Sequence, residues 1–215
     1  MANRAGRLTS TTAMPGSASG TLISMTNGLS LEDRRWSERF PRLFREQPFT
    51  WGGIADARLQ IHFSRSEPAD ELISNVKVIG RCDHGIVVFE TDQGWRSIPG
   101  GTREPGESLR AAADREAREE VGGQIVGELT WVGAFRVDHS AVGPHRPHLP
   151  YPISYWAYVI ADLELVREPT NPLDGEQVTS VHVLPAAEAI EWLSVFDEGP
   201  LLDVVKLANE LGRDN

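Results

Sequence analysis

The sequence predicts an α/β fold, a mixed sheet covered by helices on both faces, with an N-terminal extension. Two observations predict it. Strand-like runs stand on both sides of an amphipathic helical pattern near the middle of the chain, and the chain closes on two further helical patterns. A third observation sets the scale: 215 residues with 40% apolar and 24% charged residues suffice for one ordinary soluble domain plus extensions.

Residues 1–30 hold five Ser, five Thr, four Gly and no acidic residue, a composition that cannot bury enough apolar surface to order itself. They are expected to form a disordered tail. Met14 and Met25 offer alternative starts, so residues 1–24 are not assigned to the native protein. Residues 31–70 turn charged and aromatic and are expected to pack on the main domain as an extension and candidate homodimer arm. Within them a short helix over 32–39 stops at Pro41, and ARLQIHF (57–63) alternates as a strand.

The main domain is expected over 71–215. ISNVKVIG (73–80) and GIVVFE (85–90) read as strands, followed by a TDQG turn and the segment WRSIPGG. A helix is expected from Glu107 to Val121, stopped by Gly122-Gly123. ELTWVGAFRV (128–137), ISYWAYVIADLELV (153–166) and QVTSVHV (177–183) read as strands, and helices close the chain at 185–195 and 200–211. No internal repeat interrupts this order.

Charge and cysteine content narrow the function. A net charge of −10 argues against bulk nucleic-acid binding, which needs Lys and Arg on phosphates, but leaves room for a small phosphorylated ligand held through a cation. Cys82, the only cysteine, fits a reducing, cytoplasmic location. No apolar run approaches the ~18 residues that cross a membrane, and residues 1–30 lack the apolar core of a secretion signal.

The stretch GGTREPGES (100–108) has the glycine and serine spacing of a phosphate-binding P-loop, but Glu107 stands in the lysine slot. In the helix that follows, Leu109, Ala113, Ala117 and Val121 form an apolar ridge, while Glu116, Glu119 and Glu120 project together from one face within about 100° of arc. Such a face is either solvated and laced by pairs like Arg115–Glu119, or gathered around a cation. The glycine pair in front favours the cation, because backbone carbonyls there are hard oxygen ligands suited to Mg²⁺ or Mn²⁺.

Gly101, Glu107, Arg115, Glu116, Glu119, Glu120 and Gly122 fall on all seven fixed positions of the box G-x5-E-x7-R-E-U-x-E-E-x-G-U, so the chain resembles the Nudix hydrolases. Seven matches arise by chance on the order of 10⁻⁸ per window. Two apolar slots are atypical, Ala117 and Gly123. WRSIPGG and QVTSVHVLPAAEAIEWL resemble the family's strand before the glycines and its last strand and helix, so 72–195 fit the domain. The resemblance implies an α/β/α sandwich and a divalent-metal-dependent hydrolase that cleaves a phosphoanhydride in a nucleoside diphosphate linked to another moiety. Nucleotide sugars, dinucleotides and nucleoside triphosphates all stay open as substrates. A nucleotide-binding module without turnover is the alternative, and the intact glutamates favour hydrolysis.

Carried onto this chain, the resemblance implies that Glu116, Glu119 and Glu120 hold the metal with the Gly100 carbonyl. Glu107 stands at the loop–helix junction and Arg115 orients the glutamates. The general base is left between Glu116, Glu120 and Glu176. Arg103 and Arg136 are candidate phosphate contacts, each more often a surface arginine. Trp131, Phe135, Tyr155 and Trp156 are candidate stacking partners, although aromatic residues in strands usually build the core. The long loop 138–152 reads as a candidate lid. Its His139, His145 and His148 lack the spacing of a helical zinc site.

Overall fold

The computed structural model describes residues 29–50, 58–83, 85–139, 143–144, 146–171, 177–195 and 200–212. The tail expected over 1–30 lies outside the described residues except for its last two positions.

Ser30 accepts the Asp33 N–H at 3.0 Å, which caps α1 (Leu31–Arg39). Two strands follow, β1 (Gln47–Thr50) and β2 (Arg58–Ser64). The sequence pattern missed β1, a four-residue edge strand in which Pro48 needs no ladder donor. A single 3-10 turn, Asp70–Leu72, leads into β3 (Ile73–Cys82), β4 (Gly85–Thr91) and β5 (Arg96–Ser97).

Helix α2 (Leu109–Val121) is followed by β6 (Gly123–His139), β7 (Ile153–Leu165) and β8 (Val178–Leu184), and then α3 (Ala186–Ser194) and α4 (Pro200–Leu211). Strand β6 starts five residues before the expected run. Gly127, with φ 72°, sits in an irregular stretch between Val126 and Thr130, so the strand continues across a glycine that reads as a break.

The sheet runs β1-β2-β6-β7-β3-β4-β5, with β8 also paired to β4. Strands β3 and β7 are parallel and the other pairs antiparallel, giving the expected mixed sheet. Its two faces carry separate cores. One holds Val76, Val78, Val159 and Ala161 under α2, and the other packs Trp36, Phe63, Phe135, Leu193 and Leu207 from α1, the sheet, α3 and α4. Phe44, Phe63, Phe135 and Tyr158 make consecutive edge-to-face contacts at 5.3, 5.1 and 5.8 Å, each contributing about 0.5–1.5 kcal/mol beyond burial. The extension thus buries Trp36, Phe40, Leu43, Phe44, Leu59, Ile61 and Phe63 inside this chain's own core.

One irregularity positions the functional site. Strands β3 and β4 pair only at their hairpin end, Arg81 with Ile86 and Cys82 with Gly85, before β4 turns away to pair with β8. The edge of β3 upstream of that point is open to another segment of backbone.

Candidate active site

The glycine loop fills that open edge. Val78 N–H donates to the Pro99 carbonyl at 2.7 Å and Val76 N–H to the Gly101 carbonyl at 3.0 Å, while Asn75 and Thr102 form an antiparallel bridge. Only glycine fits at position 100, where φ is 144° and β3 backbone lies against it. A Cβ on Gly100 would stand 2.1 Å from the Val76 carbonyl oxygen, and one on Gly101 would stand 2.4 Å from Glu116 Oε1.

Helix α2 is held at both ends. Ser108 accepts the Ala111 N–H at 3.2 Å, and Asp70 accepts the Leu109 N–H at 3.0 Å. The helix therefore starts two residues after Glu107, whose side chain turns back to accept the Glu104 N–H at 2.7 Å. At the other end Gly122 adopts φ 64°, and a Cβ there would lie 1.9 Å from the Arg167 carbonyl oxygen. Gly122→Ala is expected to destabilise the fold by about 1–3 kcal/mol. Thermal melts would then show a midpoint lower by several degrees, and an unchanged midpoint would contradict the cap geometry. Ala112, Ala113 and Ala117 are wholly buried, so the small side chain at the atypical Ala117 slot lets the helix lie close on the sheet.

That closeness drives the helix carboxylates onto the loop. Glu120 Oε2 accepts the Gly100 N–H at 2.7 Å, and Glu116, only 7% exposed, lies against Gly101. Arg115 links the group. It donates to both Glu107 oxygens at 2.8 and 3.1 Å, to Glu116 at 2.8 Å, to Glu119 at 3.2 Å and to the Thr102 carbonyl at 3.0 Å. The Glu107 carboxyl is held below the usual carboxylate range, chiefly by its hydrogen bonds from Arg115. Glu116 is pushed the other way. Burial raises it, and Arg115 and Lys77 only partly offset that penalty.

Lys77 was missed in the sequence. Its Nζ, reaching from β3, donates to the Gly100 carbonyl at 2.7 Å and lies 3.5 Å from that of Ile98. The available signal was a lone lysine inside the short apolar run from Val76 to Ile79.

Other candidate residues lie elsewhere. Arg103 is neither a surface arginine nor turned outward. It is 8% exposed, and its terminal nitrogens donate to the Asp70 carboxylate and to the carbonyls of Asp70, Ile73 and Glu107. A guanidinium so engaged ties the 3-10 turn to the glycine loop. Arg136 is exposed and pairs with Asp138 at 2.9 Å. Phe135 is a core residue at 1% exposure, and Trp131 Nε1 donates to the Arg65 carbonyl at 2.7 Å. Tyr155 and Trp156 are half-buried. His139 pairs with Ser154 Oγ at 2.8 Å and His148 with the Arg103 carbonyl at 3.0 Å. Glu176 and His145 lie outside the described residues.

The donor set around Gly100 is all oxygen, as a hard divalent cation requires. Among the described residues no three acidic, His or Cys side chains close on one point. The reason is visible in the contacts: Glu116 and Glu119 lean on Arg115, and Glu120 on the Gly100 N–H. The buried Glu116 carboxyl, only partly compensated by Arg115 and Lys77, is what a bound cation would relieve, so the residues fit the group.

Fold and site together define an α/β/α sandwich with carboxylates gathered on one helix beside a glycine pair. The model of the NUDIX domain matches residues 75–203, well over half of the chain, and the chain belongs to the Nudix family. No curated protein matches it by sequence. Among solved structures it is similar to a mutant pyrophosphohydrolase from Bacillus subtilis, at 18% identity and TM-score 0.52, over 77% of this chain and 98% of that one. It is also similar to an ADP compounds hydrolase, at 18% identity and TM-score 0.49, over 79% and 92% of the two chains. A NUDIX hydrolase from Nitrosomonas europaea matches at 18% identity and TM-score 0.48, over 64% and 89%.

Proposed function

We propose that the chain hydrolyses a phosphoanhydride bond in a nucleoside diphosphate linked to another moiety, with Glu116, Glu119, Glu120 and the Gly100 carbonyl holding Mg²⁺, or Mn²⁺ in its place. The observation that carries this reading is the meeting of two helix carboxylates with one short piece of backbone: Glu120 on the Gly100 N–H, and Glu116 against Gly101. A cation bound there supplies positive charge to the phosphate oxygens and makes a water proton easier to remove.

The chain's own residues do the rest. Arg115 holds Glu107, Glu116 and Glu119 in register, and the Ala112–Ala113–Ala117 face keeps the helix tight on the sheet. A carboxylate on this face takes the proton from the attacking water, with Glu116 and Glu120 the two against the loop. Separate Gln variants distinguish them: the base is the residue whose loss removes the acidic limb of the pH–rate profile while cation binding persists. Glu176 is a further candidate, and full activity in Glu176→Gln would reject it. Arg136, exposed on the sheet, is the candidate contact for distal phosphate.

A panel of nucleoside diphosphate and triphosphate derivatives, assayed with Mg²⁺ or Mn²⁺, tests the reading. Turnover of at least one compound is expected to need the cation and to fall about 10²–10⁴-fold in the Glu119→Gln/Glu120→Gln double variant. Binding of such compounds without turnover, with every cation tried, would replace hydrolysis by a sensing role. Mass spectrometry of products formed in ¹⁸O-labelled water identifies the phosphorus attacked.

A further inference from the structure

The glycine loop has a glutamate where a P-loop has its lysine, yet a lysine reaches it from elsewhere. Lys77 crosses from β3, and its ammonium rests on the Gly100 carbonyl at 2.7 Å, the same oxygen that the proposed cage offers to a cation. Gly100 sits so close to β3 that a Cβ on it would touch Lys77 Cδ at 2.8 Å. The half-buried side chain is thus packed along the loop. It also supplies positive charge to the buried Glu116.

We propose that Lys77 is a tethered counter-cation which competes with the divalent ion for the Gly100 carbonyl and thereby sets the cation affinity of the site. This inference rests on the cage reading given above. Without a divalent ion, the ammonium satisfies the carbonyl and balances part of the carboxylate charge. With one, two positive charges would share a single oxygen, and the lysine must withdraw from it. Cation binding is weakened by that displacement, while the metal-free cage is kept from flying apart by carboxylate repulsion.

The test compares the full chain with Lys77→Met in two measurements that need no substrate. Calorimetric titration with Mn²⁺ and Mg²⁺ is expected to show roughly tenfold tighter binding in the variant, the lower end of the range over which neighbouring groups tune a metal site. Melting in chelator is expected to occur at lower temperature than in the wild type, and saturating Mn²⁺ is expected to close most of that gap. Lys77→Gln removes the charge but keeps a donor for the carbonyl, and it is expected to show the same tightening if the Met variant does not fold. Unchanged or weaker cation binding in the variants, with binding intact in the wild type, would overturn the inference alone. A wild-type chain that binds neither ion would overturn the cage reading and the inference with it.

Discussion

Glu116→Gln is expected to abolish most turnover while making the metal-free protein more stable at neutral pH. The activity loss follows from removing one of the two carboxylates against the glycine pair, and about 10²–10⁴-fold is the scale for such a group. The stability gain follows from the direction in which Glu116 is shifted. Burial first, with repulsion from Glu119 as a minor contribution, raises its proton affinity above the ordinary glutamate value, against the opposing pull of Arg115 and Lys77. Between the ordinary and the raised value the folded chain binds more protons than the unfolded chain, so stability falls as pH rises through that window. Above it the full cost is present. Glutamine keeps the shape without the charge, so the variant is expected to melt higher in chelator near pH 7 and to lose that part of the pH slope. Adding Mn²⁺ reverses the order, since the wild type gains binding energy that the variant cannot match. A variant that melts lower than wild type in chelator, or keeps its turnover, contradicts this account.

Much of this site was legible before any coordinates. Spacing alone puts Glu116, Glu119 and Glu120 on one helix face and Leu109, Ala113, Ala117 and Val121 on the ridge beside it, because both follow from 3.6 residues per turn. Gly122 at the helix end was equally readable, since a left-handed cap selects glycine. What was not legible depends on partners far away in the chain. Arg103 is buried because Asp70, 33 residues earlier, turns back to meet it, and no local pattern announces that. Lys77 reaches Gly100 only because β4 leaves β3 after two residue pairs, a fact of sheet topology. Phe135 illustrates the opposite limit: alternation marks it as pointing to one face, but only the packing of α1, α3 and α4 shows that face to be the deep core.

Arg115→Ala is expected to be the most destabilising single change in the site. Each of the five guanidinium N–H donors has an acceptor: two on Glu107, one each on Glu116, Glu119 and the Thr102 carbonyl. The side chains of Arg115 and Glu107 are only 17% and 16% exposed, so water replaces little of what is lost. Breaking a buried pair by deleting one partner costs about 3–5 kcal/mol, which for a chain of this size lowers the melting temperature by roughly 10 °C. Lysine at this position is expected to restore only part of the loss, because an ammonium cannot bridge Glu107 bidentately and also reach the helix glutamates. The pH dependence supplies a second check. Glu107 is held below its ordinary value by Arg115, so its contribution is fully present above that ordinary value and disappears as pH falls through the depressed one. In Arg115→Ala that acid-side slope is expected to flatten, because Glu107 then titrates nearly as it does in the unfolded chain. Saturating Mn²⁺ is expected to narrow the gap to wild type, since a cation among the carboxylates takes over part of the charge balance that the guanidinium supplied. Equal melting temperatures for wild type and Arg115→Ala in chelator would mean that these glutamates are solvated well enough to need no organising cation, and the cage would lose its physical basis.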